Sequence, residues 1–288
     1  MENTNKYIAE NCSIIINSCD HYKDIWELFF SCLNEQWPEC QVDIYLNTES
    51  ENFEYKNLKF INIENEKRKN MAWGGRLVDT LSLINHKYAI CLYDDFLVEN
   101  RIDISQIKNC INWMEENEDI AVFYFFNNIG LNTKDGLYDG FELIGKRNDY
   151  RLNSAPALWR IETLMHLTGK QDNPWAWECF GTARTYSLVD RFYCAENTNE
   201  KIFDYKHELG GGIRRGKWVS SVVEPLIKKY NLKLNLNERG VSSELLSKDK
   251  YSLYWKVNFI ITGFKMVGFK AFIFIISAVK TKLKTWIK

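Results

Sequence analysis

The chain has 288 residues, of which 45% are hydrophobic and 15% aromatic, enough for a packed core and too aromatic for a disordered protein. Its formal net charge is only −1, yet the first 250 residues carry 30 basic against 38 acidic groups, while the remainder carries seven lysines and no acid. An acidic body argues against nucleic-acid binding, and the basic tail points to an anionic surface.

The N-terminal MENTNKYIAENC is polar and lacks an apolar signal core, so a cytoplasmic body is expected. The eight cysteines are scattered without a C-x-x-C, which predicts reduced thiols packed as small hydrophobes. SIIIN (13–17) is a buried-strand run, and KDIWELFFSCLNEQW (23–37) places Ile25, Trp26, Phe29, Phe30 and Leu33 at helical spacing. VDIYLNT and LKFINIE alternate like strands, GGRLVDTLSLIN reads as a helix, and YAICLYDD as a strand. DISQIKNCINWMEENED is a helix with Asp103 as its N-cap. IAVFYFF lacks polar alternation, which predicts a central strand covered on both faces.

Further on, NSAPALWRIETLMHL reads as an extended segment entering a helix at Trp159. NPWAWECFGTARTYSL reads as a second helix, capped by Asn173 with Pro174 at its first position. A helix VVEPLIKKY and a polar linker from Leu232 to Lys250 follow. This succession predicts an α/β fold with a mostly parallel sheet flanked by helices. The expected units are a catalytic domain over 1–235 and a linker with a tail over 236–288.

Ligands of such sheets bind at the carboxyl ends of the strands. Those ends carry Asn17 to Asp20, Asn47 to Glu49, Asp94-Asp95 and Asn127-Asn128. The turn NSCDHYKD has no glycine, which excludes a dinucleotide fingerprint. Gly211 to Lys217 fit G-x-x-x-x-G-K, but Trp218 stands where Ser or Thr is required and no apolar strand leads in, which argues against a P-loop. Asp94 and Asp95 read alone as either turn acids or oxygen ligands for Mg²⁺ or Mn²⁺ shared with substrate phosphates.

In the tail the longest uncharged run is Ala271 to Val279, short of the ~20 residues that span a bilayer. Spaced lysines, interfacial Tyr and Trp and the lack of acids predict a basic amphipathic helix over 251–288 lying on an anionic membrane surface. A core helix pair is the alternative.

SIIINSCDHYKDIWELFF, VDIYLNTE, WGGRLVDTLSLI and YAICLYDDF together resemble the donor half of a GT-A-fold glycosyltransferase. The likeness is greatest to bacterial enzymes that build cell-surface polysaccharides. NSAPALWRIETL, NPWAWECFGTART and GGGIRRGKW resemble their acceptor half, and in order the likeness spans most of 11–235. It implies a nucleotide-sugar donor across the first strand ends, with Asn17, Ser18 and Asp20 at the base and ribose and Arg76 at phosphate or base. Asp95 would be the metal ligand, Asp94 a second ligand or a sugar contact, and His207 a late addition to the shell. The aspartates depart from D-x-D by being contiguous, which leaves the need for Mn²⁺ or Mg²⁺ open.

Glu178 is the expected general base, since inverting transfer needs a carboxylate to take the acceptor hydroxyl's proton. Trp175 and Trp177 beside it suit sugar faces. Gly210 to Gly212 would let Arg214, Arg215 and Lys217 close over the diphosphate, a solvated basic loop being the alternative. The expected activity is sugar transfer from a nucleotide-diphosphate sugar to a lipid-linked saccharide of capsule, O-antigen or lipooligosaccharide, at the inner face of the cell membrane, with retention of configuration also open. The alternatives are a sugar nucleotidyltransferase or a non-catalytic membrane-bound polysaccharide assembly protein.

Overall fold

The computed structural model describes residues 2–63, 67–127, 130, 132–196, 202–242 and 252–276. Asn128, much of the linker and the last four lysines lie outside the described residues.

The β-branched run Ile14 to Ile16 forms the centre of β1 (Cys12–Asn17), every residue of which is buried. Ile14 and Ile16 pack into one core layer and Ile15 into the other, the period-2 alternation of a strand covered on both sides. On the first face lie α2 (Lys23–Gln36) and α4 (Ile104–Glu116), through residues such as Phe29 and Ile111. On the second lie α3 (Trp73–Ser82) and α5 (Ile161–Leu167), through Leu77 and Leu164.

With β2 (Ile44–Asn47), β3 (Tyr88–Tyr93), β4 (Ile120–Tyr124), β5 (Asn132–Thr133), β6 (Phe141–Ile144), β7 (Ala157–Arg160) and β8 (Arg191–Ala195), β1 builds one eight-stranded sheet. Its order is β2-β1-β3-β7-β4-β8-β6-β5. The sheet is mixed, which corrects the mostly parallel expectation. β1 is parallel to β2 and β3, and β4 to β8, but β7 runs antiparallel between β3 and β4. The reason lies in Ala157 to Arg160, expected to lead into a helix at Trp159 and in fact hydrogen-bonded as a strand on both edges. Helix α5 begins only at Ile161. LKFINIE makes a single bridge from Phe60 to Ile44 and no strand of its own.

Several local readings hold. Asp103 accepts from Gln106 N at 3.0 Å as an N-cap, and Asn173 accepts from Ala176 N at 2.9 Å ahead of α6 (Pro174–Cys179). β4 is buried throughout. All eight cysteines are free thiols, and all but Cys19 are buried.

The described tail departs from expectation. Leu253–Ile276 is a helical segment which, by length and composition alone, is long and apolar enough to cross a membrane, with a mean hydropathy of 2.0 over its most apolar part. Its exposed side is largely apolar, with Leu253, Tyr254, Ile261, Phe269, Phe272 and Ile276 facing outward beside the exposed Lys256, Lys265 and Lys270. Helix α9 (Leu253–Val267) ends where Gly268 takes φ 59°, and the chain folds on through 271–276 so that Phe272 meets Phe264 at 5.0 Å.

The other side of the tail packs on α6 and the turn after it. Trp255 stacks on Trp175 at 4.8 Å, Phe180 lies 4.9 Å from Phe259 and 4.8 Å from Phe274, and Arg184 Nη2 donates to Met266 O at 3.2 Å. Gly263 makes this approach possible, because a Cβ there would stand 2.5 Å from the Phe180 ring. Replacing Gly263 by valine is therefore expected to cost about 2 kcal/mol of overpacking. It should free the tail from the body, read as a lower melting temperature and a shift in tryptophan emission.

Candidate functional site

β1 and β3 run in register from Cys12 beside Tyr88 to Asn17 beside Tyr93, so the residues that follow each strand meet. β2 lies on the opposite side of β1, so the chain leaves β1 in one direction and returns to the sheet on the other. Such a reversal opens a crevice at the carboxyl ends of the strands. Here it holds a cavity of about 320 Å³, lined by Asn17, Ser18, Cys19, Tyr22, Trp73, Arg76, Tyr93, Asp94, Asp95 and Pro174.

Asp94 is buried at its floor, and its Oδ2 accepts from Ser18 Oγ and from Trp26 Nε1 at 3.2 Å. Trp26 Nε1 also donates to Ser18 Oγ at 2.7 Å. Burial pushes the Asp94 carboxyl up to about 7, against those hydrogen bonds and the charge of Arg239. Burial and the neighbouring Asp94 push half-buried Asp95 well above the usual carboxylate range. Two contiguous carboxyls thus keep a proton near neutrality until a cation meets them.

Asn17 Oδ1 accepts from Asn47 Nδ2 at 2.9 Å and from Trp73 Nε1 at 3.2 Å, which ties β1, β2 and α3 together at the rim. Arg76 is buried. Its Nη1 pairs with Glu49 Oε1 at 2.8 Å and its Nη2 donates to Ser18 O at 3.4 Å, while Nε has no partner among the described residues. Behind it the buried Arg68 Nη2 donates to Asn47 Oδ1 at 2.5 Å and to Thr80 Oγ1 at 2.9 Å.

Asp20 does not line the cavity. It accepts from the backbone N–H groups of Glu49, Ser50 and Glu51 and from Ser50 Oγ, which depresses its carboxyl and commits it to bracing the loop after β2.

The glycine segment comes close by another route. Gly211 has φ 78°, and a Cβ on it would stand 2.5 Å from Asp95 O, to which Gly212 N donates at 2.7 Å. The loop is therefore fastened to the backbone of the acidic pair. Beyond it Ile213–Arg214 and Lys217–Trp218 form a hairpin that turns at Arg215 (φ 52°) and Gly216 (φ 74°), the positive-φ pair of a tight hairpin turn. Arg214, Arg215 and Lys217 lie on this hairpin next to the site and not in the cavity wall.

Glu178 sits in α6, where its Oε1 accepts from Ser154 N at 2.7 Å and from Ser154 Oγ. Burial raises its carboxyl above the usual range despite those bonds. Its charge acts on Tyr93, which lines the cavity, and on Tyr205; Asp95 acts on both as well. Glu178 and the acidic pair thus flank one aromatic group, Tyr93–Phe96–Tyr205, whose successive ring centroids are 5.6 and 4.5 Å apart.

Three of the expected side chains are engaged elsewhere in the structure. Trp177 is buried against Trp73 and Trp159 and donates Nε1 to Leu167 O at 3.2 Å, so its ring is core and offers no sugar platform. Trp175 is spent on stacking against Trp255 of the tail. His207 packs edge-on against Phe126 at 4.4 Å, and among the described residues no group of three or more His, Cys, Asp and Glu is spaced to hold a metal ion. The protein donors for a cation reduce to Asp94 and Asp95. This oxygen pair fits Mg²⁺ or Mn²⁺ if substrate phosphates complete the shell.

One basic residue was missed. Arg239 falls in what reads as a polar linker, yet its side chain is 4% exposed. Its Nε donates to Asp24 Oδ2 at 2.5 Å, its Nη2 reaches His21 O, and its guanidinium lies 4.4 Å from the Tyr22 ring. Its Nη1 has no partner among the described residues. Nothing local in NERG marks it, because its partner Asp24 lies 215 positions away.

No protein-family model matches the chain, and no curated protein matches it. Among solved structures the chain is similar to residues 1–349 of S. aureus TarS, at 12% identity and a TM-score of 0.48, covering 91% of this chain and 82% of that one. It is similar also to the same TarS segment in complex with UDP-GlcNAc, at 13% identity and a TM-score of 0.45, covering 89% and 81%. A cytidylyltransferase from Leptospira borgpetersenii matches at 11% identity and a TM-score of 0.39, covering 84% of this chain and 99% of that one.

The acidic pair has a pH signature. A carboxyl raised on folding contributes its full stability below its unfolded value, near 4, and loses it as pH rises through about 7. Urea midpoints of the cation-free protein are expected to fall over that window. Asp94→Asn should remove the Asp94 share of that fall and leave the variant more stable than wild type at pH 8.

Proposed function

We propose that this chain is a glycosyltransferase that takes its sugar from a nucleotide-diphosphate donor. The observation that carries the reading is the convergence, at the reversal between β1 and β3, of an acidic pair and a buried arginine in one aromatic-walled cavity, with a raised carboxyl, Glu178, across Tyr93.

Asn17 and Ser18 would hold the base and ribose against Tyr22 and Trp73. Asp95 and Asp94 would bind Mg²⁺ or Mn²⁺, which when present neutralises diphosphate charge. Arg76 and Arg239, each with an unpartnered buried N–H among the described residues, supply fixed positive charge. Arg214, Arg215 and Lys217 add more from the hairpin. Glu178 would take the proton of the acceptor hydroxyl as its oxygen forms a bond to the anomeric carbon. The bond from that carbon to the diphosphate oxygen breaks, and the nucleoside diphosphate leaves with the electron pair, inverting the centre.

The body over 1–235 would carry this chemistry, with the segment over 236–288 setting Arg239 behind Tyr22 of the cavity wall and the tail against the inner leaflet of the cell membrane. A lipid-linked saccharide acceptor suits that arrangement, since confinement to one surface raises effective concentration.

Incubation with a panel of nucleotide sugars and Mn²⁺ tests the proposal. Nucleoside diphosphate should be released in step with glycosylated product. Glu178→Gln should lower kcat by roughly 10²–10⁴-fold with the donor KM changed little, whereas Asp95→Asn should weaken donor binding as well. Pyrophosphate exchange in place of diphosphate release would assign nucleotidyl transfer, and no turnover by wild type or by either variant would leave the chain a non-catalytic assembly protein.

A further inference from the structure

A second cavity, of about 590 Å³, lies between the body and the tail. Its walls come from the turn after β6 (Arg147, Asp149), from the 3-10 segment Gly181–Ser187 that follows α6, and from the tail (Lys270, Ile273, Ile276). Among the described residues the charges lining it are two cations and one carboxylate, a net of one positive. Arg147 and Asp149 both act on the phenol of Tyr186, so they share its rim. Arg151 acts there too, but its Nη groups are engaged by Thr185 O and Asp190 O behind the wall.

The apolar part of the wall continues outward. Ile273 is 40% and Ile276 53% exposed, and Phe269 and Phe272 beside them are exposed as well. A largely apolar hollow with net-cationic lining that opens directly onto an exposed apolar helix is the complement of an amphiphile with an anionic head. A phosphodiester carries one negative charge and matches the net charge of the lining, whereas a diphosphate exceeds it.

From this juxtaposition we infer that the cavity between Arg147 and Lys270 is a headgroup site for a glycerophospholipid of the bilayer, with the acyl chains laid along Ile273 and Ile276. The inference rests on the reading that the tail meets a membrane, and it adds that the body itself touches the headgroup layer. Binding then sets the orientation of the enzyme as well as its location.

Flotation of the full chain with vesicles of phosphatidylcholine, alone or mixed with phosphatidylglycerol, tests it. Wild type should favour the mixed vesicles. Arg147→Glu, on the exposed surface of the body, and Lys270→Glu should each weaken that binding by about tenfold. Asp149→Asn should strengthen it, and Lys256→Glu, on the tail outside the cavity, should lose less than either. Arg147→Glu floating like wild type overturns the headgroup site and leaves the tail reading standing. A wild type that floats with neither vesicle overturns both. Displacement by inorganic phosphate as effective as by dihexanoyl-phosphatidylglycerol, at matched ionic strength, would make the hollow a free-phosphate site and overturn the lipid assignment.

Discussion

Two contiguous carboxylates at the end of a buried strand are the constraint around which this end of the molecule is built. Burial disfavours both charges and each disfavours the other. The surroundings answer with directed donors, not a contacting countercharge. Ser18 and Trp26 fix Asp94, and Arg239 acts on it without touching it. Gly212 takes the Asp95 carbonyl and not its side chain. Asp95 is left as the side chain with capacity for an incoming cation. Strand β1, the first turn of α2, the loop after β2 and the late glycine segment all bend toward this one requirement.

The same logic explains the second acid. Glu178 stands on a short helix whose outer face is covered by the tail, and the helix is capped by Asn173 and stiffened by Pro174. Whatever holds the tail also loads the helix that carries Glu178, through Trp175 and Phe180.

Local signals made much of this legible. The β-branched run of β1, the alternation in β2, the caps at Asp103 and Asn173 and the polar strand ends each reside in a few consecutive residues, and each appears where the pattern puts it. What was not legible depends on distant pairing. Asp20 looked like a ligand because it follows β1, but three N–H groups some thirty positions later claim it. The rings of Trp175 and Trp177 looked like sugar platforms because tryptophan suits both sugars and cores, and only packing tells which. Arg239 was invisible because an arginine in a polar run has no local mark of burial. The direction of β7 was missed because an apolar run bounded by Pro156 is equally compatible with a strand that pairs on both edges.

That strand has a consequence for how the chain can be divided. Among the described residues β7 is the strand that links the parallel group β2-β1-β3 to the group that contains β4 and β8. A fragment that stops before Ala157 holds the entire wall of the first cavity except Pro174, yet it presents the open edges of two buried, apolar strands. Such edges recruit each other between molecules. During synthesis the half that walls the first cavity therefore waits, incomplete and adhesive, for a four-residue segment that lies more than halfway along the chain. The two halves of the site are one folding unit, although the sequence reads like two modules in series.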